Sequence, residues 1–251
     1  MKCVVMAAGY ATRLYPLTEN FPKPLLKVRG KAILDWLLDD IHALGLVDEF
    51  VIISNHRFAR CFEEWKQERS LDGTGLGEMM TIVDDGTVSN ESRLGAVRDI
   101  QFAVDALKLD DDMLVIAGDN LLEFSFGKFV DYAKEKGTSC LMRYFEGDMA
   151  KLVKHGVVLV DEEQVVTGMT EKSPDPPSPW CCPALYYFLA EDVKRIPEAM
   201  ADGCGTDAPG NFCAWLCQKT KVYAMEMPAK PYDIGDLATY EKAQEEYRGI
   251  V

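Results

Sequence analysis

Arg13 and Lys23 are two cations in a stretch whose other residues are suited to placing them. The segment Ala7-Ala8-Gly9-Tyr10-Ala11-Thr12-Arg13-Leu14 leaves a short apolar run, Lys2–Ala7. Small side chains at Ala8 and Gly9 let backbone N–H groups approach phosphate oxygens, and Thr12 adds a hydroxyl. The forked, permanently charged guanidinium of Arg13 suits a polyphosphate. Lys23 stands between Pro22 and Pro24, which stiffen the backbone and hold one ammonium in a defined place. The loop is neither G-x-x-x-x-G-K-[ST] nor G-x-G-x-x-G, because Ala11 and Leu14 stand where the later glycines would be. Farther on, Gly118-Asp119-Asn120 ends another apolar run. A carboxylate there either starts a turn or serves a hard cation such as Mg²⁺, which takes one or two carboxylates with phosphate oxygens and water.

Such groups need a scaffold that brings strand ends together. Lys2–Ala7, Phe50–Ser54, Thr81–Val83 and Met113–Ala117 read as short buried strands. Between them, Ala32–Leu44 repeats apolar residues at Ile33, Leu37, Ile41 and Leu44, the stripe of an amphipathic helix. Phe58–Ser70, a segment marked by Val97, Ile100, Val104 and Leu107, and Phe126–Lys136 continue the helical pattern, and Cys140–Tyr144 adds a strand. Alternating strands and helices predict a parallel sheet covered on both faces. The loop after the first strand then opens at the carboxyl edge, where ligands bind in open α/β sheets.

After residue 145 the pattern changes. Gly156–Val160 and Val165–Met169 flank a polar turn and predict a hairpin, and Ala184–Phe188 another strand. Leu237–Tyr247 closes as an amphipathic helix, with Asp236 at its N-cap position. The expectation is a Rossmann-like three-layer α/β/α fold with a mostly parallel mixed central sheet and a small β-rich lobe. One domain covers 1–251, with residues 1–145 as its first half and 146–251 as its second.

The 251 residues carry a formal charge of −14, which argues against a nucleic-acid partner. No apolar stretch approaches the ~18 residues of a membrane span. Eight cysteines without a C-x-x-C pair read as reduced thiols of a cytoplasmic protein, and Cys181–Cys217 lacks paired zinc-ligand spacing. His42, His56 and His155 form no constellation with a serine or cysteine.

Ala8-Gly9-x-x-Thr12-Arg13-Leu14-x-Pro16-Leu17-Thr18, followed by Pro22-Lys23-Pro24-Leu25-Leu26, resembles the signature of sugar-1-phosphate nucleotidylyltransferases, such as glucose-1-phosphate thymidylyltransferases and uridylyltransferases. The resemblance implies that Arg13 binds the departing β- and γ-phosphates, that Lys23 contacts the α-phosphate, and that Asp119 binds Mg²⁺. It makes Arg13, Lys23 and Asp119 the catalytic set. Tyr232-Asp233-Ile234-Gly235-Asp236 resembles the family segment that supplies a second metal ligand, here Asp233. Glu171-Lys172 and His155-Gly156-Val157-Val158 resemble the acceptor-binding segments, so Gly156, Glu171 and Lys172 are the expected acceptor contacts. Asn90 and the turn Leu94-Gly95-Ala96 occupy the places that read the base. Asn90 has both donor and acceptor and pairs with uracil, thymine or cytosine alike.

The activity implied is transfer of a nucleoside monophosphate from an NTP, with UTP or dTTP preferred, to a sugar 1-phosphate. The partners are then an NTP and a phosphorylated small molecule, with no membrane; a homo-oligomer is left open. Two alternatives stand beside this: a CTP-dependent cytidylyltransferase acting on phosphocholine or another polar phosphate, and a non-catalytic sensor of nucleotides or sugar nucleotides. No role can be read for Gly203–Ala214.

Overall fold

The computed structural model describes residues 1–251 as two compact units, each assembled from separate stretches of chain. The first comprises 1–94, 116–126 and 231–251; the second comprises 95–115 and 127–230.

In the first unit, strand Lys2–Met6 pairs in parallel with Glu49–Ser54, which pairs in parallel with Met80–Asp84. Val4, Val5 and Phe50 to Ile53 are fully buried, as the continuous apolar runs predict for a sheet covered on both faces. Helix Ile33–Ala43 buries Ile33, Leu34, Leu37, Leu38 and Ile41, so its apolar stripe is the side turned to the core. Helix His56–Ser70 buries Phe58, Phe62 and Trp65. Asn55 caps that helix, accepting from the Phe58 N–H at 3.0 Å, while its amide donates to the Ala8 carbonyl at 2.9 Å. One buried side chain thus joins a helix start to the small-residue loop.

The closing helix spans Leu237–Glu246 and begins, as expected, at Asp236. The Asp236 carboxylate accepts from the Thr239 N–H while the Thr239 hydroxyl accepts from the Asp236 N–H. Reciprocal caps of this kind hold a helix start by about 1 kcal/mol. Upstream, the two-residue strands Tyr232–Asp233 and Asn120–Leu121 pair antiparallel, with Asp233 opposite Asn120. Leu14, Leu26, Val28, Ile33, Leu121, Ile234, Ala243 and Tyr247 pack into one buried cluster. Sequence-distant segments are thereby held together: buried Leu14 anchors the chain next to Arg13, and buried Ile234 the chain next to Asp233.

The second unit is mainly antiparallel. Val166–Glu171 pairs with Gly156–Val160, which pairs with Trp180–Cys182, and that strand with Cys140–Phe145. Cys140–Phe145 also meets Leu185–Phe188 antiparallel and Tyr223–Glu226 parallel. The expected hairpin is present, its turn closed by the Asp161 N–H donating to the Val165 carbonyl at 3.0 Å. Helices Ala96–Leu107, Gly127–Lys136, Ile196–Ala201 and Gly210–Leu216 accompany these strands. The fold is α/β with a mixed sheet, parallel in the first unit where strands and helices alternate and antiparallel where hairpins replace the helical crossovers. No helix is long and apolar enough to cross a membrane.

Candidate active site

The carboxyl ends of the first unit's strands carry most of the predicted phosphate-handling groups. Ala8 is buried against the chain and Gly9 is exposed, with open space where a Cβ would stand. Ala11 adopts a left-handed conformation (φ 45°, ψ 44°), and its carbonyl accepts from the Thr18 hydroxyl at 2.8 Å and the Leu14 N–H at 3.0 Å. That turn directs Thr12 and Arg13 outward, and both are exposed. The Tyr15–Pro16 peptide is cis.

Lys23 opens a short 3-10 turn, Lys23–Leu25, whose second residue is Pro24. Gly118 explains how that turn meets the strand end: a Cβ there would lie 3.1 Å from Val5 and 3.3 Å from the Pro24 ring. The missing side chain lets the proline seat beside Gly118, and Lys23 reaches Asp119. Its Nζ lies 2.7 Å from Asp119 Oδ2, with the lysine side chain 9% exposed and the aspartate 35%. Asn120 donates from its amide to Asp119 Oδ1 at 3.2 Å. The Arg13 guanidinium passes Gly235 at about van der Waals distance, 3.9 Å from where a Cβ would be. Met6, Ala7, Gly9, Arg13, Lys23 and Asp119 are among the residues lining one open cavity of about 160 Å³.

Asp233 lies across the strand pair from Asn120, the residue after Asp119. No group of three or more histidine, cysteine, aspartate or glutamate side chains converges on one point. Two carboxylates are nonetheless what Mg²⁺ asks of a protein when phosphate oxygens and water complete its octahedron. Asp119 already holds a cation, the Lys23 ammonium, on one oxygen. In donor chemistry, the Asp119 and Asp233 carboxylates on this strand pair fit a hard divalent ion.

The predicted acceptor residues form a separate cluster within the second unit. Glu171 and Gly156 are directly opposed across an antiparallel pair. A Cβ on Gly156 would lie 2.8 Å from Glu171 Oε1, and one on Gly210 only 1.8 Å from it. The carboxylate fills a slot that two glycines leave. Burial pushes the Glu171 carboxyl up to about 7; Lys172 opposes that rise and Asp207 adds to it. Lys172 has a left-handed backbone (φ 50°), donates its N–H to the His155 carbonyl at 3.1 Å, and places its ammonium 3.7 Å from Asp207.

The two base-reading candidates belong to different units of the chain. Asn90, in the first unit, sits in an exposed turn and accepts from Arg93 at 3.3 Å. Gly95, in the second, precedes helix Ala96–Leu107 at φ 93°, and a Cβ there would collide with the Thr206 carbonyl at 2.5 Å. His56 Nδ1 contacts Asp84 at 2.6 Å on the surface, with no nucleophile in the arrangement. The eight cysteines are free, and burial pushes the Cys140 and Cys181 thiols up to about 11, which keeps them protonated and inert.

Sequence reasoning missed a polar trio. Tyr10 Oη, Thr87 Oγ1 and Asp85 Oδ2 are buried without a hydrogen-bond partner in the chain. Burial pushes both the Tyr10 phenol and the Asp85 carboxyl up. Buried polar atoms of this kind call for water or a ligand. The available signal was Asp84-Asp85-Gly86-Thr87 directly after a strand.

A mixed α/β sheet that carries a Gly9 loop, two cations and a carboxylate at its strand ends defines a class of α/β protein with groups suited to phosphate oxygens. The chain belongs to the nucleotidyl transferase family, whose model matches residues 2–249. It is 30% identical over 196 residues to a mannose-1-phosphate guanylyltransferase of Mycobacterium tuberculosis, covering 78% of this chain and 50% of that one. It is 25% identical over 197 residues to a UTP–glucose-1-phosphate uridylyltransferase of Haloferax volcanii, covering 75% and 72%. The chain spans about half the length of several relatives it matches. Among solved structures, UDP-glucose pyrophosphorylase complexed with UDP-glucose superposes with a TM-score of 0.81 at 20% identity, over 98% of this chain and 97% of the other. That likeness shows the shared three-layer fold.

Proposed function

We propose that the chain transfers a nucleoside monophosphate from UTP or dTTP to a sugar 1-phosphate, releasing pyrophosphate. The observation that carries this reading is the Lys23–Asp119 pair beside the outward Arg13 in one open cavity at the strand ends. A cation already held by a carboxylate, next to a second cation on the same loop, is matched to an anion that gains charge as a bond breaks. The relatives' names support the acceptor class, since they act on glucose 1-phosphate and mannose 1-phosphate. They differ in base, so the uracil or thymine preference rests on the sequence signature.

In this reading a phosphate oxygen of the acceptor attacks the α-phosphorus in line with the departing pyrophosphate. That oxygen is already anionic, so no general base is required, which agrees with the absence of a histidine constellation. Arg13 binds the leaving β- and γ-phosphates and Lys23 the α-phosphate. Thr12 and the backbone at Ala8 and Gly9 complete the triphosphate contacts. Asn90 and Gly95 serve the nucleotide. Lys172 holds the acceptor phosphate, with Glu171 and Gly156 on its hydroxyl-bearing part. Asp119 and Asp233 would hold Mg²⁺, which when bound neutralises charge on the phosphates.

Pyrophosphate release, scanned over four NTPs, dTTP and a panel of acceptors including sugar 1-phosphates and phosphocholine, tests the proposal. Turnover with UTP or dTTP and a sugar 1-phosphate is expected. Turnover only with CTP and phosphocholine would reassign the acceptor. Tight nucleotide binding without turnover on any pair would point to a sensor.

A further inference from the structure

The loop joining helices Ile196–Ala201 and Gly210–Leu216 has no role legible in its sequence, yet it touches three functional segments of the second unit. The Thr206 carbonyl accepts from the Val97 N–H at 3.1 Å, and the Asp207 carbonyl from the Ala96 N–H at 3.3 Å. These are first-turn donors of helix Ala96–Leu107, which has no side-chain cap at Gly95. The loop supplies that cap from its backbone, and approaches so closely that only glycine fits at 95. At its far end, Gly210 yields space to the Glu171 carboxylate. Between these points the Asp207 side chain lies 3.7 Å from the Lys172 ammonium.

The backbone carbonyls account for holding the helix, and they need no particular side chain. The aspartate is a different matter. Its side chain is 54% exposed and that of Lys172 59%, and an ion pair so exposed adds little to stability. What it does supply is direction. An exposed lysine samples many rotamers, and ordering it when an anion arrives costs affinity. A carboxylate fixed by the same loop that caps the helix limits that sampling beforehand.

We propose that Asp207 is a positioning residue for the acceptor phosphate, acting through Lys172. The proposal rests on the reading of Lys172 as the acceptor's phosphate contact. It makes the Thr206–Asp207 loop a joint: its carbonyls set the turn at Gly95, and its side chain sets the cation beside Glu171.

The test compares wild type with Asp207→Asn, Asp207→Ala, Lys172→Met and the Asp207→Asn/Lys172→Met double variant. Steady-state rates are measured with acceptor and NTP varied in turn, and thermal melts recorded. Asp207→Asn is expected to raise the acceptor KM about fivefold, the scale of one exposed ion pair. Its NTP KM and kcat should stay within about twofold, and its melting temperature should match wild type. In the Lys172→Met background, Asp207→Asn should have no further effect. An unchanged acceptor KM, equal changes in both KM values, or additive effects in the double variant would overturn the proposal. Lysine acylation read by mass spectrometry gives a second readout without turnover: Lys172 should label several-fold faster in Asp207→Asn, with Lys151 and Lys154 unchanged. Loss of turnover in wild type with every sugar 1-phosphate, alongside that labelling difference, would reject the functional reading and leave the Asp207–Lys172 coupling standing. Equal labelling in the two proteins would reject the coupling whatever the activity.

Discussion

Lys23 and Lys172 both hold an ammonium beside a carboxylate, and they do it by opposite means. Lys23 is almost wholly buried, sits between two prolines and lies 2.7 Å from Asp119. Lys172 is mostly exposed, occupies a left-handed backbone position and stands 3.7 Å from Asp207. The first arrangement is costly in desolvation and leaves one geometry; removing a partner strands a charge in a poorly solvated place. The second costs little and yields readily to a different anion. The contrast teaches where specificity resides. On the proposed function, a triphosphate, the same in every NTP, is met by the fixed site, and acceptors, which differ, by the site that adjusts.

That comparison breaks first at Asp119. Asp119→Asn keeps the shape but removes the charge that Lys23 leans on and that a metal would require. Pyrophosphate release should fall by about 10³-fold or more, with circular dichroism unchanged. Lys23→Met and Asp233→Ala should each lose activity on the same scale. Near-wild-type turnover in Asp119→Asn or Asp233→Ala would end the metal assignment. The same losses at Lys172 would erase the distinction between the two sites, since the exposed lysine is expected to lose only about tenfold, mostly in acceptor KM.

The two sites also differed in how far the sequence disclosed them. Arg13, Lys23 and the small-residue loop are contiguous, and their chemistry is written in residue types. Asp119 and Asp233 followed from the resemblance to a family signature, and only the neighbouring cap at Asp236 was legible by itself. The strand-and-helix alternation of the first unit was legible for the same reason, because burial leaves apolar periodicity. What could not be read depends on backbone or on space. The Thr206 and Asp207 carbonyls that hold helix Ala96–Leu107 exist in any sequence. Gly210 reads as one more loop glycine until Glu171 is found where its Cβ would be. Asn55 ties a helix start to the Ala8 carbonyl, a link between residues far apart in sequence. Tyr10 comes near the local pair Asp85 and Thr87 only through the folding of strands far apart in sequence.

Glycines sharpen the comparison next. Gly210→Ala drives a methyl into the space of Glu171 Oε1, 1.8 Å away, and of the Met169 methyl at 2.3 Å. Overpacking of this order costs about 1–3 kcal/mol, so the melting temperature should drop and acceptor-dependent turnover fall at least about tenfold. Gly9→Ala is the converse. Nothing lies within 4 Å of the added Cβ and the backbone there is not left-handed. Stability should change by no more than about 0.5 kcal/mol, while the NTP KM rises several-fold, because the methyl stands where a phosphate is expected to approach. A stability loss at Gly9 equal to that at Gly210 would mean that both glycines serve packing alone.

The smallest expected effect concerns protons. Lys172 and Asp207 face Glu171 from the strand end and the loop, and Cys182, Tyr186 and Cys213 lie in its buried surroundings. Its carboxyl is held at about 7, against an ordinary value of 4.5. Between those values the folded chain binds a proton that the unfolded chain has released, so stability must fall as pH rises through the window. The contribution is fully present below about 4.5 and lost above about 7. Glu171→Gln removes the titration, and the fall in unfolding free energy between pH 4.5 and 7.5 should shrink by on the order of 2 kcal/mol, allowing for partial solvation. Denaturant melts of wild type and variant at four pH values across that range measure it directly. Parallel pH dependences in the two proteins would show that Glu171 ionises normally, and that the slot between Gly156 and Gly210 is better solvated than its lining implies. In that case the contrast between the two lysines would rest on Asp119 and Asp207 alone.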